Sequence, residues 1–302
     1  MEKVKKMKQI KDDSPHINKN RSQIEKIVYT IAFVIFCIYT LSIAYPLFYL
    51  IIKSLQDCYE AVESIELFSF KRGFHLENYY YALFEFKWAG NNLINMFVNS
   101  VFFTVIRIAG AVIASTFTGY VFSKYNFKGR PVLYAVAIFS MTVPVLGSAA
   151  SMLDLCWKIG IYNNWLFPVV TSFGGFGFNF LVMYAFFDNV SWSYAEATFI
   201  DGGGHFTVFF KVMIPQAVTS MITLAILAFI GNWNNYMDIL LYMPDFPTLA
   251  SGLYVISQSE IGRDYRPRYF AGLVYTLIPV LTMFCCFSDV IMKNLSIGGL
   301  KG

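Results

Sequence analysis

Charged residues are scarce in this sequence. Asp, Glu, Lys and Arg make up 14% of its 302 residues, whereas they make up about 25% of a typical soluble domain. Hydrophobic residues make up 57%, which leaves too little polar surface to keep a soluble globule hydrated, so we expect much of the chain to face lipid. The 31 Phe and 20 Tyr residues suit lipid-facing walls and the aromatic belts at the two membrane interfaces.

Side chains that commonly carry catalysis or bind metals are few. The three histidines lie in the predicted tail and loops, and none of the five cysteines has the spacing of a metal site. No Ser/His or paired-Asp arrangement lies within an apolar stretch, which argues against a membrane-embedded enzyme. A G-x-x-x-x-G-K-[ST] phosphate loop is also absent, so we expect this chain to bind no ATP, metal or other cofactor.

The sequence has no long Gly/Ser-rich or Pro-rich linker, which predicts a short tail followed by one membrane domain. The tail, residues 1–26, is strongly basic. Such a run could contact nucleic acid, but directly before an apolar stretch it favours a cytoplasmic anchor that sets the topology, so we expect no nucleic-acid partner. The stretch Ile27–Ile52 is longer than the apolar region of a signal peptide, about 7–15 residues, and is predicted to be a retained span.

The remainder, residues 27–302, contains six stretches long enough to cross a bilayer, which takes about 20 apolar residues. The stretches are Ile27–Ile52, Leu93–Phe122, Val132–Leu155 (with Pro144 inside), Leu166–Phe187 (with Gly175 inside), Val218–Tyr242 and Ala271–Met292. An excess of Lys and Arg in the predicted inner segments places both termini in the cytoplasm, including the C-terminal tail 293–302. Two long segments, residues 53–92 and 243–270, then lie outside, either as plain loops or as surfaces that cover a pore or receive a partner.

The segment before the fifth span is neither a span nor a plain polar loop. Ser193 and Glu196 have the spacing of a capping box and predict a helix start. The three glycines after Asp201 predict that this helix ends there, because each costs about 1 kcal/mol in a helix relative to Ala. A second short helix is predicted after them, with Phe206, Phe209, Phe210 and Met213 on one face, and Pro215 is predicted to end it. From these features alone, the segment could lie on the lipid headgroups or dock into a cytoplasmic partner.

A residue pattern decides between these two interpretations. The pattern E-A-[AT]-x-x-D-G-x(6)-F-x-x-[IV]-x-x-P resembles the signature loop of ABC importer permeases. It is formed here by Glu196, Ala197, Thr198, Asp201, Gly202, Phe209, Val212 and Pro215. Its Ile200–Asp201–Gly202 form is similar to the carbohydrate branch, of the maltose-permease kind.

The resemblance extends over about residues 27–302. Asn99–Ser100 is similar to the start of the family's second span, Tyr120 with Lys124 to its exit, and Gly231–Asn234 to the Trp-Asn pair of the fifth span. The Gly-rich end with Gly299 and Lys301 resembles the family's C-terminal tail. The sequence departs from the pattern where Thr198 replaces the commoner Ala and where Gly203 and Gly204 are expected to loosen the turn.

The resemblance implies an all-α membrane protein with about six transmembrane helices, the type I ABC importer permease fold. In that family the loop, here residues 190–215 and called the coupling loop below, docks into an ATPase dimer that uses ATP and Mg. A second homologous permease completes the pore, and an extracellular solute-binding protein delivers the sugar. The ATPase contacts are then expected from a set within the loop: Glu196, Ala197, Asp201, Gly202, Phe206, Phe209, Phe210 and Pro215.

Polar side chains inside the predicted spans are candidates for the translocation path, because contact with lipid is costly for them. They are Asn95, Asn99, Arg107, Asn179, Asn232, Trp233, Asn234, Asn235 and Asp238. Each amide could equally form an ordinary hydrogen bond between helices. Arg107 carries a charge deep in a span, so we expect it to face water or pair with an acid, of this chain or of the partner permease.

Two alternative functions remain open on this sequence. A secondary transporter would need its own coupling-ion site, and no cluster of acidic residues lies within the spans. An ABC permease for a solute other than a sugar shares the loop pattern but matches the Asp-Gly form and the tail less well. The predicted location is the bacterial cell membrane, with multiple passes through the lipid. The particular sugar is not encoded in any motif of the chain.

Overall fold

The computed structural model of this chain describes residues 23–63, 68, 70–142, 147–174 and 176–297. Most of the predicted basic tail, Pro144, Gly175 and the tail residues Gly299 and Lys301 lie outside the described residues. Helices dominate the described chain. In order they are α1 Gln23–Ser54, α2 Cys58–Glu63, α3 Glu77–Phe84, α4 Leu93–Lys124, α5 Arg130–Thr142, α6 Ser148–Lys158, α7 Leu166–Ser172, α8 Phe178–Asn189, α9 Ser193–Ile200, α10 His205–Trp233, α11 Met237–Tyr242, α12 Leu249–Gln258, α13 Glu260–Asp264 and α14 Arg266–Ile297.

The chain divides into two compact units, residues 1–50 and 51–302. Within the first unit, α1 exposes large apolar side chains along its whole described length and on every side, among them Ile27, Phe33 and Phe48. A helix that is apolar all round is suited to a membrane span rather than to the surface of a soluble protein. This helix confirms the predicted first span, although it begins four residues earlier, at Gln23.

The other predicted spans are confirmed in part. Among the described residues, α1, α4, α10 and α14 are long and apolar enough to cross a membrane. The predicted third span is divided between α5 and α6, and the predicted fourth is divided between α7 and α8. The predicted fifth span was placed too late, because α10 already begins at His205 and ends at Trp233, and a separate helix, α11, covers Met237–Tyr242.

Helix α4 holds both halves of the divided fourth span through two glycines. A Cβ atom on Gly110 would lie 1.9 Å from Oγ of Ser172, at the end of α7. One on Gly119 would lie 2.8 Å from the backbone nitrogen of Tyr184, in α8. Only glycine allows helices to approach so closely, a common way to pack helices in lipid. The two halves are therefore held against one continuous helix on either side of their break.

Pro215 does not end the second helix of the coupling loop, contrary to the prediction. Residues Val208–Met213 form a widened π-helical turn, in which the N–H of Ile214 bonds the carbonyl of Phe209, and α10 then continues unbroken to Trp233. A proline has no N–H to donate and crowds the preceding turn, and such widened turns are a known way of absorbing local strain within a helix. The second half of the coupling loop thus passes directly into the fifth span as one continuous helix.

The segments predicted to lie outside the membrane meet at the end of the helices where α4 begins. A two-stranded antiparallel hairpin, β1 Lys87–Trp88 and β2 Asn91–Asn92, precedes α4 and is a small exception to the all-α prediction. The side-chain amides of Asn91 and Asn163 both donate to Asp245. These bonds join the segment before α4, the segment between α6 and α7, and the segment after α11. At the other end of α4, Lys124 bonds the carbonyl of Val190, at the start of the coupling loop. The described contacts therefore separate the predicted outer and inner segments as expected.

Candidate functional site

The turn of the coupling loop is a glycine-terminated helix end. Gly202 has φ +80°, a left-handed conformation that favours glycine. Its N–H bonds the carbonyl of Phe199, and the N–H of Gly203 bonds the carbonyl of Thr198 at 2.9 Å, which together make a Schellman motif. The predicted end of α9 after Ile200 is confirmed.

One local prediction about this loop is wrong. Ser193 and Glu196 form no capping box, because Ser193 is already helical and its N–H and hydroxyl contact the hydroxyl of Ser191. Gly203 is closely packed, since a Cβ atom there would lie 2.7 Å from Cγ2 of Thr198, and the loosening of the turn by Gly203 and Gly204 stays a prediction. Thr198 and Gly203, two departures from the family pattern, therefore fit each other, because the methyl group of Thr198 occupies the space that a side chain at position 203 would need.

The apolar residues of the loop divide into an exposed set and a buried set. Ile200 is 85% exposed, Phe206 79% and Phe210 59%, and these lie on both sides of the glycine turn. Phe209 is only 8% exposed and packs against Tyr120 at 4.8 Å between ring centroids. Phe209 therefore belongs to the internal core and adds nothing to an exposed docking face. Ile200, which was not a predicted contact, takes that place.

Four further residues of the predicted set are exposed. Glu196, Ala197, Asp201 and Pro215 all face away from the core, whereas Ala195, directly before Glu196, is fully buried. We define the docking surface as Glu196, Ile200, Phe206 and Phe210. It combines an acidic side chain with large apolar ones on a helix–turn–helix.

A second polar site, the arginine cluster, lies where two spans are broken. Arg107 projects from the middle of α4, and its side chain is 20% exposed. Its guanidinium donates to Oγ1 of Thr171 at 2.6 Å and to Oδ1 of Asn232 at 3.2 Å, and it lies 3.6 Å from Oδ2 of Asp238. Thr171 closes α7 just before its break, while Asn232 and Asp238 lie on either side of the break between α10 and α11.

The expectation that Arg107 faces water or pairs with an acid is confirmed, because its acidic partner is Asp238 of the same chain. Asn235 donates to the same carboxylate at 2.8 Å and is thereby part of the cluster. Thr171 was missed by sequence reasoning, because a lone threonine near a helix end carries no signal of an ionic partner. Broken helices with polar groups at their ends are typical of binding sites in transporters.

The remaining predicted polar residues have separate roles. Asn99 donates to the carbonyl of Pro247, and Ser100 next to it accepts from the N–H of Leu249. The Asn-Ser pair thereby ties α4 to the start of α12. The backbone N–H of Asn95, in the first turn of α4, donates to Oδ1 of Asn92, the residue that caps this helix. Asn179 is half-buried in the first turn of α8.

Trp233 is buried, with 4% of its surface exposed, and its indole N–H bonds the carbonyl of Thr276 in α14. Next to it lies a cavity of about 240 Å³, the aromatic pocket. Its walls include Trp233, Asn234, Tyr236, Tyr254, Ser257 and Tyr269. The rings of Tyr236 and Tyr254 stack at 4.5 Å, and the exposed amide of Asn234 lies beside them. Aromatic faces with a few hydroxyl and amide groups make a site that can bind a small polar ring.

Comparison with known proteins gives a family match and several relatives. The family model described as "Binding-protein-dependent transport system inner membrane component" matches residues 110–296, more than half of the chain. The diacetylchitobiose uptake system permease protein of Streptomyces coelicolor is 27% identical over 259 residues, which are 85% of this chain and 83% of that protein. The galactooligosaccharides transport system permease protein of Bacillus subtilis is 26% identical over 212 residues, 69% of this chain and 75% of that protein.

Two further matches extend this picture. The maltodextrin transport system permease protein MdxG of Bacillus subtilis is 26% identical over 215 residues, 69% of this chain and 76% of that protein. Among solved structures, a bacterial ABC transporter involved in the import of the acidic polysaccharide alginate contains a chain with the same fold. It superposes with a TM-score of 0.75 at 21% identity and covers 91% of this chain and 99% of that one.

Proposed function

Because this chain belongs to the family of inner membrane components of binding-protein-dependent transport systems, we propose that it is a permease subunit of an ATP-driven importer of oligosaccharides. It is a multi-pass protein of the bacterial inner membrane. The relatives named for diacetylchitobiose, galactooligosaccharides and maltodextrin support a carbohydrate as its solute. A solute other than a sugar is the alternative, and an autonomous secondary transporter is a more remote one.

One observation carries this proposal: large apolar side chains are exposed on a helix–turn–helix at the inner end of the spans. Ile200 and Phe206 flank the left-handed Gly202 and are 85% and 79% exposed. Exposed aromatic residues surrounded by polar ones are typical of the energetic centre of a protein–protein interface. The partner we propose is an ATPase dimer, which supplies the sites for ATP and Mg, while this chain binds neither.

The docking surface can transmit force because it is continuous with a span. Phe206 and Phe210 lie on α10, which runs to Trp233 and ends at the arginine cluster and the aromatic pocket. A movement of the ATPase is thereby delivered along one helix to the place where the spans are broken. The arginine cluster then lies in the half of the translocation path that this chain contributes, and a second homologous permease contributes the other half.

The aromatic pocket is the place we propose for a sugar ring. Its volume of about 240 Å³ suits one ring rather than a whole oligosaccharide. Tyr236 and Tyr254 offer aromatic faces, and Asn234 and Ser257 offer groups that can bond hydroxyls. We expect an extracellular solute-binding protein to make the first selection of the sugar before it reaches this pocket.

Isolation of the tagged chain in mild detergent tests the proposal. We expect an ATPase and a second permease to copurify, and uptake of diacetylchitobiose, a galactooligosaccharide or maltodextrin into vesicles to need ATP and the binding protein. Gly202→Glu should reach the membrane but abolish uptake, because the left-handed turn favours glycine. Uptake by the purified chain alone, without ATP, would refute the proposal in favour of a secondary transporter.

A further inference from the structure

A histidine ties the second half of the coupling loop to the end of α4. The hydroxyl of Tyr125 lies 2.8 Å from Nδ1 of His205 and 3.3 Å from the hydroxyl of Tyr120. Tyr120 lies in the last turns of α4, Tyr125 directly follows that helix, and His205 is the first residue of α10. Three polar groups in a row thus connect two helices at their inner ends.

Aromatic contacts reinforce this connection. The ring of His205 lies 5.6 Å from that of Tyr125 and 5.0 Å from that of Phe199, in α9. Trp192, at the other end of α9, lies 6.1 Å from Tyr125. His205, at the start of α10, therefore contacts both α9 and the segment that follows α4.

The position of His205 in the loop gives these contacts a consequence. Its neighbour in the chain is Phe206, which is part of the docking surface. The contact between Phe209 and Tyr120 holds α10 against α4 about one turn further along. The bond from His205 to Tyr125 adds a second connection to the end of α4, directly beside Phe206.

The three polar groups can bond one another in a single row. With the proton of His205 on Nε2, Tyr125 donates to Nδ1, and Tyr120 donates to the oxygen of Tyr125. The row therefore forms a continuous hydrogen-bonded connection between the start of α10 and the end of α4.

We propose that Tyr125 and His205 are positioning residues that deliver the movement of the docked ATPase into α4. This inference rests on the proposed function, since it presupposes an ATPase at the docking surface. Helix α4 carries Arg107 and packs against both halves of the divided fourth span through Gly110 and Gly119. Through this connection, one movement at the loop reaches both sides of the arginine cluster: Asn232 through α10, and Arg107 through α4.

A double-mutant cycle in the assembled transporter tests this. The variants are Tyr125→Phe, His205→Ala and the double variant, and the readout is sugar taken up per ATP hydrolysed, with whichever of the three named sugars the wild-type complex imports. Loss of one hydrogen bond, worth about 1 kcal/mol, corresponds to about a 5-fold fall in that ratio. We expect each single variant to show this fall while ATPase binding is retained, and the double variant to fall no further because all three remove the same bond.

Two further variants make the result specific. His205→Asn, which keeps an acceptor near the position of Nδ1, should recover most of the ratio, whereas a purely structural defect would not be rescued. Tyr184→Phe is the matched control, because it also removes one tyrosine hydroxyl near the inner end, where that hydroxyl bonds Arg130, but leaves the coupling loop unchanged. Tyr125→Phe removes a single oxygen atom, so it stays informative if His205→Ala folds poorly.

The outcomes separate the two proposals. If the wild-type chain binds no ATPase and imports nothing with ATP, the proposed function fails. If the wild type binds the ATPase and Phe206→Asp abolishes binding, but Tyr125→Phe and His205→Ala match the wild type in uptake per ATP, only the present inference fails. Independent effects that multiply to about 25-fold in the double variant would also overturn it, because they would show that the two residues act separately.

Discussion

The guanidinium of Arg107 and the carboxylate of Asp238 lie 3.6 Å apart, on two helices that sequence periodicity does not bring together. Arg107 lies in an unbroken helix, whereas Asp238 lies in the first turn of a short helix that follows a break. The pair neutralises a charge at membrane depth and at the same time joins α4 to α11. The pair therefore connects the charge within α4 to the helix that follows the break.

Removal of one member of this pair should be worse than removal of both. Arg107→Leu or Asp238→Leu leaves an unpaired charge, and insertion of such a charge at the centre of a span costs about 2.5–3.5 kcal/mol. We expect either variant to reduce the amount of folded transporter, as measured by size-exclusion chromatography in detergent, and the double variant to recover it. Uptake should stay low in all three, because each lacks the cluster itself.

The exposed pair Lys158–Asp154 provides the control. Both side chains are more than 60% exposed, and such pairs contribute about 0–1 kcal/mol. Lys158→Leu should therefore leave both the folded amount and the uptake unchanged. If the double variant at Arg107 and Asp238 folds no better than the single ones, the ion pair does not explain the position of Arg107.

The three consecutive glycines of the coupling loop should differ in their tolerance of alanine. Gly202→Ala places a side chain at φ +80°, which costs about 1–2 kcal/mol. Gly203→Ala brings a Cβ atom to 2.7 Å from Cγ2 of Thr198, whereas Gly204→Ala meets open space at ordinary φ. We therefore expect Gly204→Ala to take up sugar into vesicles as well as the wild type, and Gly202→Ala and Gly203→Ala to take up less.

A second substitution checks the steric part of this explanation. Thr198→Ala removes the methyl group that Gly203 contacts. In that background Gly203→Ala should recover part of its uptake, while Gly202→Ala should not, because its defect lies in the backbone. Equal behaviour of all three glycine variants would contradict the structural description of the turn.

Phe206 and Phe209 should give opposite results although they lie three residues apart. Phe206→Asp changes an exposed side chain, so we expect normal folding and loss of ATPase binding in a pull-down assay. Phe209→Ala leaves a cavity in the core beside Tyr120, and such truncations cost about 3–5 kcal/mol. Its main effect should be a lower thermal unfolding temperature. Normal ATPase binding by Phe206→Asp would place the docking surface elsewhere.

His75 should make the outer segment before α3 sensitive to pH. Its Nδ1 bonds the carboxylate of Glu77 at 3.0 Å, and this bond is the largest cause that raises the pKa of His75 above its usual value. The bond to the carbonyl of Arg72 and the negative charge of Asp57 raise this pKa further. A raised pKa means that the folded state binds the proton more tightly than the unfolded state. The stabilisation is therefore complete below about pH 6.5 and is lost as the pH rises through the folded-state pKa.

Limited proteolysis of the purified protein at several pH values measures this effect. Cleavage between residues 70 and 76 should become faster as the pH rises through the raised pKa of His75, because the segment opens more often. His75→Gln removes the titrating group and should give cleavage that no longer accelerates over this range. The same acceleration in the wild type and in His75→Gln would assign the pH dependence to another group.

The aromatic pocket should set the affinity for sugar more than the rate of transport. Tyr254 stacks on Tyr236 and is part of the pocket wall. Loss of such a ring contact costs about 0.5–1.5 kcal/mol beyond the buried area, so Tyr254→Ala should raise the sugar concentration for half-maximal uptake by several-fold. Tyr80→Ala, an exposed tyrosine away from this pocket, is the control. An unchanged half-saturation in Tyr254→Ala would exclude the pocket as a sugar site.

Several features were predictable from the residues because they depend on local chemistry. Long apolar stretches predicted the spans α1, α4 and α14, since the cost of exposing polar backbone to lipid leaves few alternatives to a helix. The glycine after Asp201 predicted the end of α9, since only a left-handed residue completes that cap. The Asn-Ser pair at 99–100 was noticed as a pattern, but its role in holding α12 became visible only from contacts distant in sequence.

Other features depended on groups that are far apart in the chain. Nothing near Pro215 in the sequence indicates whether it ends a helix or is absorbed by a widened turn. The buried Met213 and Ala217 on either side of it pack with residues distant in the chain. The breaks within the predicted third, fourth and fifth spans were hidden by their continuous apolar composition. Hydropathy reports whether a residue prefers lipid, and it contains no information about the direction of the backbone.

Composition and a pattern of fixed spacing are local properties, and they were sufficient to identify a membrane permease with a loop of the ABC importer kind. The folded chain was needed to see that Arg107 pairs with Asp238, that Phe209 is internal while Ile200 is exposed, and that His205 joins the loop to α4. A contact depends on where separate helices bring their side chains, and that placement results from the packing of the whole chain.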